Sequence, residues 1–398
     1  MYTSIKDKAL ARRIKNHVIG RDHIFFAVVQ PGFESTAGRE LSGIGLHVTD
    51  DIIEGGVEFT GRVDDCYKAC IMSRSASRIF MRLGSFRSGR FDILEKDIAA
   101  FPWELYIPFG TQIMFRSSSR KSMIYHTGKL EEIFFRAIKS RLKDFRKEDV
   151  PVDASAPPSC LIHLRNDTDR CYASIDASGE FLFKRGHRTF VNRAPLREST
   201  AALILFEADV ESYSRIIDPM CGAGTFSIEA AGIFTGTAAA PDRVFPFFSW
   251  PCFKKRNFLH IKNNFILQEI SFEKTGKEII TSDIDEKSLA AARLNCENFF
   301  PGMLKPVYKN FFDIKVPGES PGKTLLLLNP PYGKRLGDFR IIDFYKKIGN
   351  KIREDFKGCG FAIIAPGVEF EKALALDFHR KIPFMNGGIK SAVLFRDA

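Results

Sequence analysis

The chain has 398 residues, 44% of them hydrophobic and 27% charged, and its 59 Lys and Arg against 48 Asp and Glu give a formal net charge of +11. That length holds two or three domains able to bury their own cores, and the composition excludes a disordered or collagen-like chain. No apolar run approaches the ~20 residues of a membrane span, so no membrane is expected, while the basic balance favours a polyanion, of which nucleic acid is the commonest.

The first 23 residues are basic (Lys6, Lys8, Arg12, Arg13, Lys15, Arg21) but lack the apolar centre of a secretion signal. Asp7 and Asp22 speak against a mitochondrial presequence, so a solvated, helix-compatible extension and a cytoplasmic protein are expected. Residues 24–60 open with an apolar strand and a helix over 33–41, followed by a β-like stretch over 57–60, the start of a small α+β unit. The same style continues over 61–185, with helices over 64–72 and 90–101 and strands over 77–83 and 112–116. Segment 129–147 predicts an amphipathic helix with Leu130, Ile133, Phe134, Ala137, Ile138 and Leu142 on one face and bases on the other. A Pro/Ala/Ser loop over 151–158 then leads to strands over 160–165 and 170–175.

From Asn192 the pattern changes. Helices over 198–210, 225–234, 286–299 and 342–356 alternate with short strands over 215–217, 278–281, 305–308, 324–328 and 360–365. That alternation predicts an α/β, doubly wound parallel sheet. The segment 241–268, rich in Phe, Trp and Lys, interrupts it. In it, Lys254, Lys255 and Arg256 beside Phe253 and Phe258 read equally as an RNA grip or as a solvated loop over an apolar cluster. The eight cysteines contain no Cys-x-x-Cys, Cys66 and Cys70 have no second pair at zinc spacing, and the histidines do not cluster. Reduced thiols and no metal are expected.

Three strand ends carry candidate chemistry. Asp218-Pro219-Met220-Cys221-Gly222-Ala223-Gly224-Thr225 lies between a strand and a helix, where glycines admit a ligand close to the backbone. Ser227 stands where a dinucleotide fingerprint needs its third glycine, and no Gly-Lys-Ser/Thr follows, so neither that site nor a P-loop is indicated. A plain tight turn remains the alternative. Ser282-Asp283-Ile284-Asp285 closes the next strand; one aspartate can accept from a ribose diol while the other caps the following helix. Asp313, after Asn310-Phe311-Phe312, can accept from an adenine amino group or be an ordinary strand-end acid. Most specific is Asn329-Pro330-Pro331-Tyr332-Gly333 after an apolar strand. Its prolines stiffen the backbone, so the Asn329 side-chain oxygen and the Pro330 carbonyl can both accept from one exocyclic amine, and Tyr332 offers a stacking face.

Asp218–Thr225 resembles the donor loop of class I S-adenosylmethionine-dependent methyltransferases, and Asn329–Gly333 the signature of amino-group methylases. Phe183–Arg188 with Ala194–Ala202 is similar to the junction in RNA methylases that carry an N-terminal THUMP domain. Pro31–Glu34, Arg74–Arg78 and Asn386–Gly388 fit the same family. The likeness runs from residue 24 to nearly the end and is nearest to guanine-N2 methylases of 23S rRNA. It implies a Rossmann-like methyltransferase domain over 186–398, a THUMP RNA-binding domain over 61–185, a ferredoxin-like segment over 24–60 and a basic extension over 1–23. It also implies S-adenosyl-L-methionine as cofactor and 23S rRNA or its assembly intermediate as partner, with tRNA second; a monomer is the expected form. By position, Asp218, Pro219, Met220, Cys221, Gly222, Gly224 and Thr225 would cradle the methionine part, with Leu196 nearby. Asp283 would hold the ribose beside Ile284, Asp313 the adenine amino group, and Asn329, Pro330 and Tyr332 the target base. The alternatives are a tRNA guanine-N2 methylase, an adenine-N6 DNA methylase and a non-catalytic RNA-binding assembly factor.

Overall fold

The computed structural model describes residues 5–108, 110–146, 160–185, 196–316, 323–331 and 338–398. Among these, helix α1 (Ile5–Ile14) precedes a first seven-stranded sheet. Its strands are β1 (His23–Val28), β2 (His47–Ile53), β3 (Gly56–Gly61), β4 (Arg78–Arg87), β5 (Ile113–Arg120), β6 (Cys160–Asp167) and β7 (Arg170–Asp176). Their order is β2-β3-β1-β4-β7-β6-β5, antiparallel throughout except for the parallel pair β5 and β6. Helices α2 (Glu34–Gly43), α3 (Val63–Met72), α4 (Phe91–Ala100) and α5 (Thr127–Arg146) connect the strands. The β1-α2-β2-β3-α3-β4 portion is a ferredoxin-like unit. Its β4 pairs with β1 on one edge and β7 on the other, so the sheet continues unbroken past position 60.

Period-two burial explains the strands: Phe25 and Ala27 of β1 are fully buried while Ile24 faces solvent. In α5 the six apolar residues named above are all buried, and the basic face is wet. Strand β2 was not expected, because Asp50 and Asp51 interrupt its apolar pattern. The N-terminal extension is helical, as its sequence allows, but the expectation that it is solvated is corrected: it is docked. Leu10, Ile14 and Val18, spaced by four, are buried in the main core, and Arg13 reaches Glu104 at 2.8 Å. The helix widens into a π turn over Lys15–Ile19, closed by the Gly20 N–H on the Lys15 carbonyl.

The second sheet also has seven strands: β8 (Arg215–Asp218), β9 (Glu278–Asp283), β10 (Val307–Tyr308), β11 (Thr324–Leu328), β12 (Gly360–Ala365), β13 (Arg380–Asn386) and β14 (Ile389–Arg396). Their order is β10-β9-β8-β11-β12-β14-β13, parallel except for β14, which runs against both neighbours. Helices α6 (Glu198–Glu207), α7 (Thr225–Thr235), α8 (Lys255–Gln268), α9 (Glu286–Phe299), α10 (Asp338–Asp355) and α11 (Val368–Leu374) accompany it. Every residue of β11 is buried, which is why Thr-Leu-Leu-Leu-Leu lacks alternation. This is the Rossmann-like α/β arrangement expected for the second half. The β13–β14 hairpin was missed, since Arg380, Lys381 and Lys390 mask its apolar face; its turn uses Gly387 and Gly388 at φ +58° and +89°.

The two halves share one hydrophobic core. The 241–268 insertion supplies part of it, as Phe247, Phe253 and Phe258 surround Tyr67 of α3 at centroid distances of 4.6, 5.8 and 6.1 Å. Its aromatics are therefore engaged within the protein and not free to stack on RNA, while Lys254, Lys255 and Arg256 stay exposed.

Candidate active site

The chain builds β8, β9 and β10 outward in one direction, then returns to place β11 on the other side of β8. In such sheets ligands bind where the order reverses, outside the carboxyl ends of the strands. Leu326 pairs with Ile217, so the loop after Asp218 and the turn at Asn329 open at the same edge.

The loop after β8 is held by its neighbour strand. The Asp283 carboxylate accepts from the Gly222 N–H at 2.8 Å, and the Ser282 carbonyl from the Cys221 N–H at 3.0 Å. Gly222 and Gly224 sit at φ +55° and +83°, a region costly for other residues, and a Cβ at Gly222 would meet nothing within 4 Å. There is open space against this backbone. Pro219 is buried, Met220 and Thr225 half-buried, and Gly224 caps the start of α7. Ser227 has a role that its failed fingerprint position did not suggest: its hydroxyl donates to Asp218 at 2.8 Å and receives from Thr281. Asn295 of α9, also unforeseen, donates to the Ala223 carbonyl at 3.1 Å. For Ser227 the signal was a polar residue inside an otherwise buried helix; Asn295, in a helix with many exposed residues, carried none.

Asp218 is 1% exposed, and among the described residues no cation acts on it. Burial raises its pKa to about 7, the Ser227 hydroxyl opposing and the Asp283 charge assisting. Asp283 is shifted upward as well, again chiefly by burial. Its second oxygen accepts from the Asp285 N–H, and Asp285 caps α9 through the Ser288 N–H at 2.9 Å. The division of labour between the two aspartates is thus one cap and one carboxylate facing the donor loop. The Ile284 N–H also bonds the Asp283 carboxylate, which keeps acceptor capacity for a ligand. Ile284 beside it is exposed, and Leu196 is buried just ahead of α6. Asp313 lies exposed in the 3₁₀ turn Phe311–Asp313, behind a half-buried Phe312 packed on Phe311 and Phe344.

At the end of β11, the Asn329 side-chain oxygen is buried and has no hydrogen-bond partner among the described residues. An orphaned buried acceptor costs about 1–3 kcal/mol, so this one is placed for a donor that the described residues do not provide. Pro330 is buried beside it. Tyr332 and Gly333 lie outside the described residues, as do His187 and Arg188.

Helix α7, which begins at the donor loop, is gripped from the N-terminal half. Arg74 donates to Glu229 at 2.9 Å and to the Thr237 carbonyl at 2.5 Å, its guanidinium lying where a Cβ on Gly232 would fall. Arg185 donates to the same glutamate at 3.2 Å and to the Leu182 and Arg74 carbonyls. The Ser73–Ser75 loop that presents Arg74 is fixed by buried Glu40, which accepts from the Arg74 N–H at 2.5 Å and from the Ser75 hydroxyl. Nearby, Glu207 of α6 receives Thr36 and Arg39 of α2 and Arg380 of β13.

Comparison with known proteins agrees with this geometry. The family model for the RMKL-like methyltransferase domain matches residues 185–394, and that for the RlmL ferredoxin-like domain matches 24–80. The ribosomal RNA large subunit methyltransferase K/L of Syntrophotalea carbinolica is 30% identical over 384 residues, spanning 93% of this chain and 53% of that protein. The chain thus covers about half the length of the K/L relatives. Protein slr0064 of Synechocystis sp., named as a candidate RNA methyltransferase, is 26% identical over 93% of this chain and 95% of its own. The crystal structure of SMU.472, described as a candidate methyltransferase and complexed with SAH, matches with a TM-score of 0.84 at 27% identity, covering 95% and 98% of the two chains. With the donor loop and the β11 turn at one sheet edge, and the family model covering more than half its length, the chain belongs to the RMKL-like methyltransferase-domain family.

Proposed function

We propose that this protein methylates the exocyclic N2 amine of a guanine in 23S rRNA, with S-adenosyl-L-methionine as donor. The observation that carries the reading is the buried Asn329 oxygen beside Pro330, without a partner among the described residues, at the same sheet edge as the Asp218 loop. S-adenosylmethionine supplies a methyl group on a positively charged sulfur.

The residues suit both partners. Asp218, buried without a cation, is placed to accept the cationic methionine end, and Gly222 and Gly224 let that end approach the backbone. Asp283 offers its remaining acceptor positions to the ribose, exposed Ile284 an apolar surface to the adenine ring, and Asp313 an acceptor to its amino group. Leu196 borders the methionine end. Asn329 and Pro330 take the two protons of the target amine. Its lone pair, otherwise delocalised into the base, is thereby localised and aimed at the methyl carbon. Tyr332 stacks on the extruded base. The ferredoxin-like unit runs past the expected boundary at 60 to include α3 and β4, so the residues after it up to 185 would act as a THUMP RNA-binding domain, the seam at Glu229 setting the distance from bound RNA to the donor loop.

The test is methyl transfer from radiolabelled donor to separate pools of unmodified 23S rRNA, tRNA and genomic DNA, with nucleoside mass spectrometry of each product. N2-methylguanosine in the 23S pool is expected. Label in tRNA alone would change the substrate and keep the chemistry. N6-methyladenine in DNA, or no label in any pool, would overturn the proposal.

A further inference from the structure

The two segments flagged in the sequence as extra, the basic N-terminal extension and the aromatic insertion, meet in space. Between them lies a groove of about 810 Å³, lined by Leu10, Arg12, Ile14 and Lys15 on one side and by Pro251 and Lys254 on the other. Leu10 and Ile14 are buried and form its apolar depth, whereas Arg12, Lys15 and Lys254 are exposed at its margin. We propose that this groove is a second RNA contact, outside the sheet edge that carries the chemistry, holding a single-stranded stretch with phosphates on the three cations and a base against the apolar depth. The proposal deepens the RNA reading above and rests on it.

Charge decides the class of occupant. Arg12, Lys15 and Lys254 have no carboxylate partner among the described residues, and Lys255 and Arg256 extend the basic margin. Of the described acids close by, Asp22 pairs with Arg62 at 2.7 Å and Glu104 with Arg13 and Arg141. Asp64, on the Asn257 amide at 2.9 Å, keeps its charge but is outnumbered by the cations of the margin. Clustering unpaired cations is unfavourable unless a polyanion meets them, and a phosphodiester chain does so while releasing counterions. The groove is also wide enough for a nucleotide, within the ~300–1,000 Å³ of small-ligand sites.

Geometry makes the site a fixed one. Arg13, the neighbour of Arg12, ties α1 to Glu104, and Leu10, Ile14 and Val18 bury its other face, so Arg12 and Lys15 are held at the margin. On the opposite wall, Lys254 directly precedes α8, whose Phe258 is locked against Tyr67. Neither wall needs to form on binding, which lowers the ordering cost.

The test measures binding of a fluorescent single-stranded RNA of about 12 nucleotides, and of 23S rRNA, across a salt series. Wild type is compared with R12E/K15E/K254E and with its milder form R12Q/K15Q/K254Q. A charge-matched control, K347E/K357E/K372E, alters exposed lysines elsewhere, and donor binding by calorimetry shows that each variant is folded. The groove variant should bind RNA at least ~10-fold more weakly, and its log–log salt slope should shrink by about 2, from ~0.7 per phosphate released. The glutamine form should fall between. Unchanged affinity and slope in the groove variants, with N2-methylguanosine still formed on 23S rRNA, would overturn the groove and leave the proposed function standing. An equal loss in the control would also overturn it, as would polyglutamate competing as well as RNA, which would mark an acidic protein as the occupant. Wild type that neither binds nor methylates RNA would overturn both.

Discussion

Asp218 and Glu229 stand at opposite ends of the same short stretch of chain, both about 1% exposed, and their surroundings differ in kind. Glu229 is enclosed by two guanidiniums. Burial alone would push its pKa up, but Arg185 and Arg74 outweigh that and hold it below the usual carboxylate range. Among the described residues Asp218 has hydroxyl and backbone partners and no cation, and its pKa rises to about 7. The difference teaches how to separate structure from function among buried acids. A fully compensated carboxylate locks two halves of the protein together, whereas an uncompensated one beside open backbone suits a cation from outside, the role proposed for Asp218.

Breaking the compensated site should have the largest effect on stability. Glu229→Ala leaves Arg74 and Arg185 buried without a partner and should cost about 3–5 kcal/mol in denaturant unfolding. Removing all three charges together, as R74M/E229L/R185M, should recover much of that loss. A cost below about 1 kcal/mol for the single change, on the scale of a surface pair, would mean that the seam does not depend on the cluster.

Changes at the donor side should spare stability and act on affinity. Asp283→Ala removes a charged acceptor that also holds the Gly222 N–H, and should weaken donor binding by about 1.5–3 kcal/mol, or roughly 10- to 100-fold. Calorimetry that found normal affinity would end the ribose role.

Over a single pH unit, the smallest effect is the pH dependence of Asp218. Its folded pKa lies above the ordinary value of 3.8, so the free protein takes up a proton on folding in the window between them. Its contribution to stability is greatest at low pH and is lost as pH rises through about 7. Donor binding should run the other way, because a cation needs the ionised form. Affinity should fall about tenfold per pH unit below about 7 and level off above it. Asp218→Asn should flatten both dependences, and a sloping profile in that variant would assign the titration elsewhere.

Much of this was legible in the sequence because it is local. The β11 leucines, the glycines after Asp218 and the cap at Asp285 each follow from chemistry within a few residues. What stayed hidden depends on partners far along the chain. Arg74 finds Glu229 only after two sheets have formed, and the insertion's Phe253 and Phe258 find Tyr67 only across the shared core. The extension looked solvated because its many charges outnumber the three apolar residues, at spacing four, that bury it. Strands β13 and β14 were obscured in the same way, by cations on the wet face of a half-exposed hairpin. Ser227 was read against a motif it does not satisfy, although its hydroxyl holds Asp218 in place.

The central claim is that Asn329 holds the target amine and not the donor. It is tested most directly by single-turnover methyl transfer to 23S rRNA in Asn329→Ala, with donor affinity measured on the same preparation. The transfer rate should fall at least ~100-fold, the scale of losing one preorganised polar contact in a transition state, while donor affinity stays within about twofold of wild type. A retained rate, or a large loss of donor affinity, would contradict the assignment of Asn329 to the base.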